Sequence, residues 1–317
     1  MKGELSIMKA ITSLFDSDVR KEYRKCKYLF LMLVPVLLYY IIFEYGPLYG
    51  VQIAFKDYRI RDGIMGSQWV GFKHFIYLFT ASPDFFRIMK NTLVLSFYHI
   101  VFGFPAPIVL ALLFNEIRIE VFKRITQTIS YLPHFLSWVV LSGLLITILS
   151  PTTGTVNQLL SMIGMKPIYF LGDPQYFRFT LIVSSIWKEV GWGTIIYLAT
   201  IANVDPAQYE AAIVDGANRW KQTLHITLPG IIPVITIMFI FRIGAVLNAG
   251  FDQVLNMYSP NTYSVADILD TYVYRTGLTQ LQYSLTAAVG LFKNIVAFGL
   301  VLLTNYVVKK LGQEGIM

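Results

Sequence analysis

Residues 205–229 read DPAQYEAAIVDGANRWKQTLHITLP, a polar-to-amphipathic insert between two long apolar runs. Local chemistry makes it two helices and a bend. Asp205 can accept a hydrogen bond from a free N–H of the first turn, and Pro206 takes the first helical position, where its missing N–H costs nothing. Gln208 stands where a capping-box partner would. Asp215-Gly216 ends that helix, because glycine adopts the left-handed conformation common at helix C-termini. A second helix is expected from about Ala217 to His225, running into Ile226, Leu228 and Pro229, with the proline marking its join to the next apolar run.

The flanking sequence decides where such an insert sits. Of 317 residues, 55% are hydrophobic and only 14% charged, and the mean hydropathy is +0.57. This is the composition of an all-α, polytopic membrane protein. Six stretches approach the roughly 20 apolar residues that cross a hydrocarbon core; they lie at about 28–49, 89–114, 126–149, 178–201, 231–251 and 285–308. An even number puts both termini on one side. The positive-inside rule makes that side cytoplasmic, from the Arg20/Lys21/Arg24/Lys25/Lys27 cluster, the Arg118/Lys123/Arg124 loop and the Lys309-Lys310 tail. The insert falls on the same side. The first outer loop runs against the rule with Lys56, Arg59, Arg61, Lys73 and Arg87, offset by Asp57, Asp62 and Asp84.

The expected organisation is a basic cytoplasmic segment at 1–27, a six-span domain at 28–310 and a cytoplasmic tail at 311–317, all in the cell membrane. The run from Tyr28 to about Tyr45 is long for a signal-peptide core and no small-x-small cleavage pattern follows it, so it reads as a retained span. Three outer segments result. The first, 50–88, mixes glycine, aromatic and charged residues and should be ordered; the second, 150–177, carries turn signals at SPTTG and GDP. In the third, 252–284, the second half is expected to form a helix lying on the outer surface.

Several chemistries are excluded. The net charge of +7 comes from basic residues flanking apolar runs rather than from one polar face, so it orients the chain in a lipid bilayer and names no nucleic-acid partner. The single cysteine, Cys26, leaves no internal disulfide. There is no GxxxxGK[ST] phosphate loop, HExxH, CxxC or GxSxG, and the four histidines have no metal-ligand spacing. Neither a metal site nor catalysis by this chain is expected.

Ionisable residues inside spans are costly and face a cavity or a partner. The fourth span holds Ser184, Ser185, Trp187, Lys188, Glu189 and Trp192 in SSIWKEVGWG; the fifth Arg242 and Asn248; the third His134 and Trp138; the sixth Lys293 and Asn294. Lys188 and Glu189 leave their helix about 100° apart and need not pair. Trp187 and Trp192 beside hydroxyls and charges suit a sugar, whose C–H faces stack on aromatic rings while polar groups satisfy its hydroxyls. Interfacial tryptophan belts and an ion pair to a neighbouring subunit are the structural alternatives.

Glu210-Ala211-Ala212, three residues, Gly216, nine residues, then Ile226-x-Leu228-Pro229 resembles the EAA loop of permease subunits of type I ABC importers. The segments IAFKDY, GIMGSQWVGFKHF and YLPHFLSWVV look like permeases of the carbohydrate-uptake group, particularly the polysaccharide or complex-oligosaccharide branch of Gram-positive bacteria. The resemblance implies a second homologous permease, two cytoplasmic ABC ATPase subunits that hold ATP and Mg, and an extracellular solute-binding lipoprotein delivering an oligosaccharide; this chain would bind no cofactor. It implies that Glu210, Ala211, Ala212, Asp215, Gly216, Ile226, Leu228 and Pro229 couple to the ATPase as a lever. It also implies a substrate pathway at His134, Trp138, Ser185, Lys188, Glu189, Trp192 and Arg242, more charged than in maltose-type relatives. Lys188, Arg242 and His134 together favour an acidic oligosaccharide such as a uronate. An ion-coupled secondary transporter is the alternative in another class, but it calls for more spans and an internal repeat. An intramembrane enzyme using Lys188 and Glu189 as acid and base lacks a nucleophile and metal ligands.

Overall fold

The computed structural model describes residues 25–310 and 312. Most of the basic segment read at 1–27, and all of the tail except Gly312, lie outside the described residues. The chain forms two compact units, the first ending at Trp69 and the second beginning at Val70.

In the first unit, α1 (Lys27–Phe55) is long and apolar enough to cross a membrane. Its side chains from Tyr28 to Tyr45 are exposed, as suits a helix whose solvent is lipid. A two-residue antiparallel pair follows, β1 (Lys56–Asp57) with β2 (Gln68–Trp69), in the register Lys56↔Trp69. The loop between them is held by its own polar groups: Lys56 Nζ donates to the Ile64 carbonyl at 2.6 Å, and Ser67 Oγ donates to the Gly63 carbonyl at 2.6 Å. The start of the first outer segment is therefore ordered, as its composition implied.

The second unit consists of α2 (Lys73–Thr80), α3 (Phe85–Glu116), α4 (Glu120–Phe135), α5 (Trp138–Ile148), α6 (Thr155–Met162), α7 (Pro174–Ile201), α8 (Pro206–Val214), α9 (Arg219–Gly244), α10 (Phe251–Met257), α11 (Leu269–Tyr274) and α12 (Tyr283–Lys310). Among the described residues four helices, α1, α3, α9 and α12, are long and apolar enough to span, and α4 with α5 adds a fifth if the bent pair is one span. The count of six is reached only by including α7, whose 28 residues suffice in length but include Arg178, Lys188 and Glu189.

The third span, read at about 126–149, is bent within that range: α4 and α5 meet at 105°. Pro133 lies in a 3-10 turn, Leu132–Phe135, that ends α4, and Ser137, in extended backbone, caps α5 by accepting from the Val140 N–H at 3.3 Å. Proline stops one helix and a serine cap starts the next.

Elsewhere proline does not interrupt. Five- to six-residue π turns at Tyr40–Tyr45, His99–Gly103 and Thr223–Thr227 precede Pro47, Pro105 and Pro229. The carbonyl four residues before each proline, which its ring would strike in a regular helix, falls inside the widened turn. The second helix of the insert is consequently continuous with the fifth span, from Arg219 to Gly244, and Pro229 marks no join.

The core of the second unit clusters Leu95, Phe177 and Leu181 with Val254, Met257, Ala266 and Ile268. The segment 252–284 is thus folded into the core, not laid on a surface, because its apolar residues fill the gap between α3 and α7. Polar bonds fix it there. Gln253 Nε2 donates to the Leu181 carbonyl at 2.7 Å and to Ser184 Oγ at 2.9 Å, and Arg178 Nε donates to the Val265 carbonyl at 3.1 Å. A second cluster, Ala111, Tyr197, Ile201 and Ile231, joins α3, α7 and α9.

Candidate functional site

Helix α7 has two working faces. One meets the α4–α5 corner so closely that a Cβ on Gly191 would stand 2.0 Å from the Ser130 carbonyl oxygen. There Lys188, 6% exposed, donates from Nζ to the His134 carbonyl at 2.8 Å, lies 3.1 Å from Glu189 Oε1 and sits 5.6 Å from the centre of the Trp138 ring. Glu189 Oε2 is 2.8 Å from His134 Nδ1. The His134 ring stacks on Trp192 with centroids 4.5 Å apart.

The other face opens on a cavity of about 350 Å³ lined by His99, Pro107, Ser185, Glu189, Trp192 and Arg242. It shares Trp192, Gly193 and Arg242 with a larger, apolar space of about 760 Å³ reaching Met238 and Phe241. Among the described residues Arg242 makes no hydrogen bond or ion pair, whereas both oxygens of Glu189 are engaged by His134 and Lys188. The cavity therefore presents an Arg242 guanidinium with no ion-pair partner beside a Glu189 carboxylate already held by His134 and Lys188, and a guanidinium so placed has donors left for an oxygen acceptor.

Of the seven pathway residues read from the sequence, Ser185, Glu189, Trp192 and Arg242 share this cavity. His134 does not line it but holds two residues that do, Glu189 by a 2.8 Å contact and Trp192 by stacking. Lys188 and Trp138 do not line it; Lys188 is a buried strut of the α4–α5 corner. The two charged neighbours, which helix geometry left free to pair or not, do pair, at 3.1 Å, because both long side chains converge on His134. Trp187 is half-exposed and outside both spaces. His99, which sequence reasoning passed over, lies buried in the π turn of α3 and lines the cavity. Its signal was an ionisable side chain inside a span, two turns before a proline.

The insert forms an elbow. Asp205 Oδ1 accepts from the Ala207 N–H at 3.0 Å, and Gly216 turns the chain at φ 73°. Asn218, not singled out beforehand, caps the second helix by accepting from the Lys221 N–H at 2.9 Å. Glu210, Ala211, Asp215, Gly216 and Pro229 are exposed, and Ala212, Ile226 and Leu228 half-buried. Val214 and Trp220 are also exposed, at 87% and 69%. The elbow is braced by Tyr209 OH against Thr227 Oγ1 at 2.9 Å and by Arg219 against Glu116 at 2.9 Å. Since α9 is continuous, Arg242 lies on the same helix that starts at the elbow, about 35 Å along it at about 1.5 Å per residue.

Residues 103–313 match the family described as binding-protein-dependent transport system inner membrane component. The chain belongs to this family. As such an inner-membrane component it is a multi-pass, non-catalytic permease subunit of an importer. It is 49% identical over 293 residues to protein LplB of Bacillus subtilis strain 168, covering 92% of each chain. It is also 49% identical over 290 residues to the polygalacturonan/rhamnogalacturonan transport system permease protein YteP of the same organism, covering 92% of this chain and 90% of that one. Its fold is similar, with a TM-score of 0.86 and 43% identity over 93% of this chain and 99% of the other, to a chain of a bacterial alginate ABC transporter solved in complex with alginate pentasaccharide-bound periplasmic protein.

Proposed function

We propose that this permease carries an acidic, uronate-bearing oligosaccharide across the membrane, with Arg242 reading the sugar carboxylate and Trp192 covering a sugar face. The observation that carries the reading is the unpartnered guanidinium of Arg242 in the cavity between α3, α7 and α9. The names of relatives agree with it: one transports polygalacturonan and rhamnogalacturonan, another imports the acidic polysaccharide alginate.

The proposed assembly pairs this chain with a second homologous permease, two cytoplasmic ATPase subunits holding ATP and Mg, and an external solute-binding lipoprotein. The termini and the elbow face the cytoplasm. Glu210, Ala211, Ala212, Asp215 and Gly216 enter a cleft on the ATPase, and Ile226, Leu228 and Pro229 carry the motion into α9. Because α9 is continuous from the elbow to Arg242, movement of the elbow reaches the substrate cavity without passing through a hinge.

The test is uptake by the complete transporter in proteoliposomes, comparing oligogalacturonate with its methyl ester. Wild type should prefer the acid. Arg242→Gln should lower acid uptake about 10- to 100-fold, the range of one charge-assisted hydrogen bond, and leave the ester unchanged. Equal uptake of acid and ester by the wild type would overturn the reading.

A further inference from the structure

A second cavity, of about 540 Å³, opens at the end of α9 remote from the elbow, between α10, α11 and the first third of α12. Its size falls within the range of small-ligand sites. Phe251, Tyr274 and Tyr283 line it together with Asn248, Asp270 and Lys293.

Lys293 has no place in the site near Arg242. It follows Tyr283, the first residue of α12, by ten positions, about 15 Å along the helix, where an ammonium must face protein or a watery cavity. Its Nζ lies 2.5 Å from Asp270 Oδ1, and the two side chains remain 14% and 23% exposed. The pair is therefore open to the cavity instead of sealed in the core. Its charges cancel, unlike that of Arg242, yet the ammonium keeps two N–H donors beyond the ion pair and the carboxylate keeps lone pairs. Donors, acceptors and the Asn248 amide around aromatic faces suit hydroxyl groups, not a net charge. Phe251 and Tyr274 stand with ring centres 5.9 Å apart.

The backbone here is irregular too. A π turn, Arg275–Thr279, forms part of the wall. Leu281, just before α12, is the non-glycine residue with positive φ, 58°, among the described residues. Such departures concentrate at functional sites.

We propose that this cavity is a second glycan subsite that reads hydroxyls: Asp270 and Lys293 bind vicinal hydroxyls of a pyranose while Tyr274 and Phe251 cover its C–H face. The inference rests on the glycan reading above and adds a site indifferent to the sugar's charge.

The experiment uses the complete transporter in nanodiscs, with Leu278→Cys as a reporter on a Cys26→Ser background. Leu278 lines the cavity and is exposed; Val273→Cys, also lining it, serves if the first variant does not assemble. Trigalacturonate at ten times its half-saturating concentration should slow thiol labelling roughly tenfold by mass action, and its methyl ester should do so equally. Labelling of Phe298→Cys, exposed on α12 away from the cavity, should not change. Tyr274→Ala should abolish the protection and Tyr274→Phe retain it. No slowing, or slowing that survives Tyr274→Ala, overturns the subsite. If protection fails while uptake of the acid still depends on Arg242, the subsite alone is wrong; if wild type also takes up acid and ester alike, the glycan-charge reading falls separately.

Discussion

The ammonium of Lys188 stands 2.8 Å from the carbonyl oxygen of His134, across the corner where α4 turns through 105° into α5. That carbonyl belongs to the last turn of α4, whose orphan acceptors must find a partner from outside the helix. Lys188 supplies it while neutralising Glu189. Lys188→Met should therefore destabilise the permease by about 1–3 kcal/mol, the cost of leaving a buried acceptor without its donor. The expected readout is a lower thermal midpoint of the purified complex, whereas Ser185→Ala, on the cavity face, leaves the midpoint unchanged. Equal midpoints for Lys188→Met and wild type would return Lys188 to the list of substrate contacts.

Gly191 predicts a steric failure at the same corner. A Cβ there would meet the Ser130 carbonyl oxygen at 2.0 Å and its carbon at 2.3 Å, and both are backbone atoms that cannot swing aside. Gly191→Ala should separate α4 from α7 and cost about 1–3 kcal/mol or more by overpacking. Gly290, on α12, has open space at its Cβ, so Gly290→Ala should be neutral or stabilising by up to about 1 kcal/mol through helix propensity. Thermal unfolding of the two variants side by side checks both signs.

The elbow and most spans were legible because their determinants are local. Asp205, Pro206 and Gly216 act within one helical turn, and apolar length needs no tertiary partner. What the sequence hid depends on partners far along the chain. The break at Leu136-Ser137 could be suspected from Pro133, but the same residue type at Pro105 and Pro229 is absorbed by a preceding π turn, which no local pattern distinguishes. Segment 252–284 looked polar enough for a surface, yet Val254, Met257 and Ile268 pack on Leu95 and Phe177, a contact between elements some 80 to 170 residues apart in sequence. The candidate cavity was half legible. Polar side chains in spans named Ser185, Glu189, Trp192 and Arg242, but only the rotation of α7 decides that Lys188 turns away from the space its neighbours share.

Asp267 gives a prediction about the segment beyond α10. It is fully buried, and its carboxylate lies 2.6 Å from Arg275 Nη2 and accepts from Thr271 Oγ1 at 2.8 Å. The hydrogen bond to Asp267 raises the Arg275 guanidinium above its ordinary range, opposed by burial. A raised folded-state value contributes stability that is fully present below the ordinary arginine value and lost only as pH rises above it. The Arg275 contribution should thus be flat across the physiological range and removable only by substitution. Asp267→Ala should cost about 3–5 kcal/mol and speed amide exchange in 263–279, with little change at the elbow. Unchanged exchange there would show the pair to be redundant.

Gly216 carries the sharpest prediction for coupling, because its two constraints separate. Its φ is 73° with nothing within 4 Å of a built Cβ, so conformation, not space, restricts the position. Asparagine visits the left-handed region readily, whereas a β-branched residue there is strained by about 1–2 kcal/mol or more. Gly216→Asn should keep both the bend and uptake. Gly216→Val should open the bend between α8 and α9, leaving the spans folded, since Gly216 touches none of the core clusters. On the proposed lever role, ATP hydrolysis by the assembled transporter then loses its stimulation by loaded binding protein, and uptake falls while the thermal midpoint of the membrane domain holds. The measurement is coupled: phosphate release and sugar accumulation from the same proteoliposomes. Normal uptake by Gly216→Val would remove the elbow from the coupling path, and loss of uptake in Gly216→Asn to the same degree would mean that side-chain volume at the ATPase contact, and not the turn, is what the glycine provides.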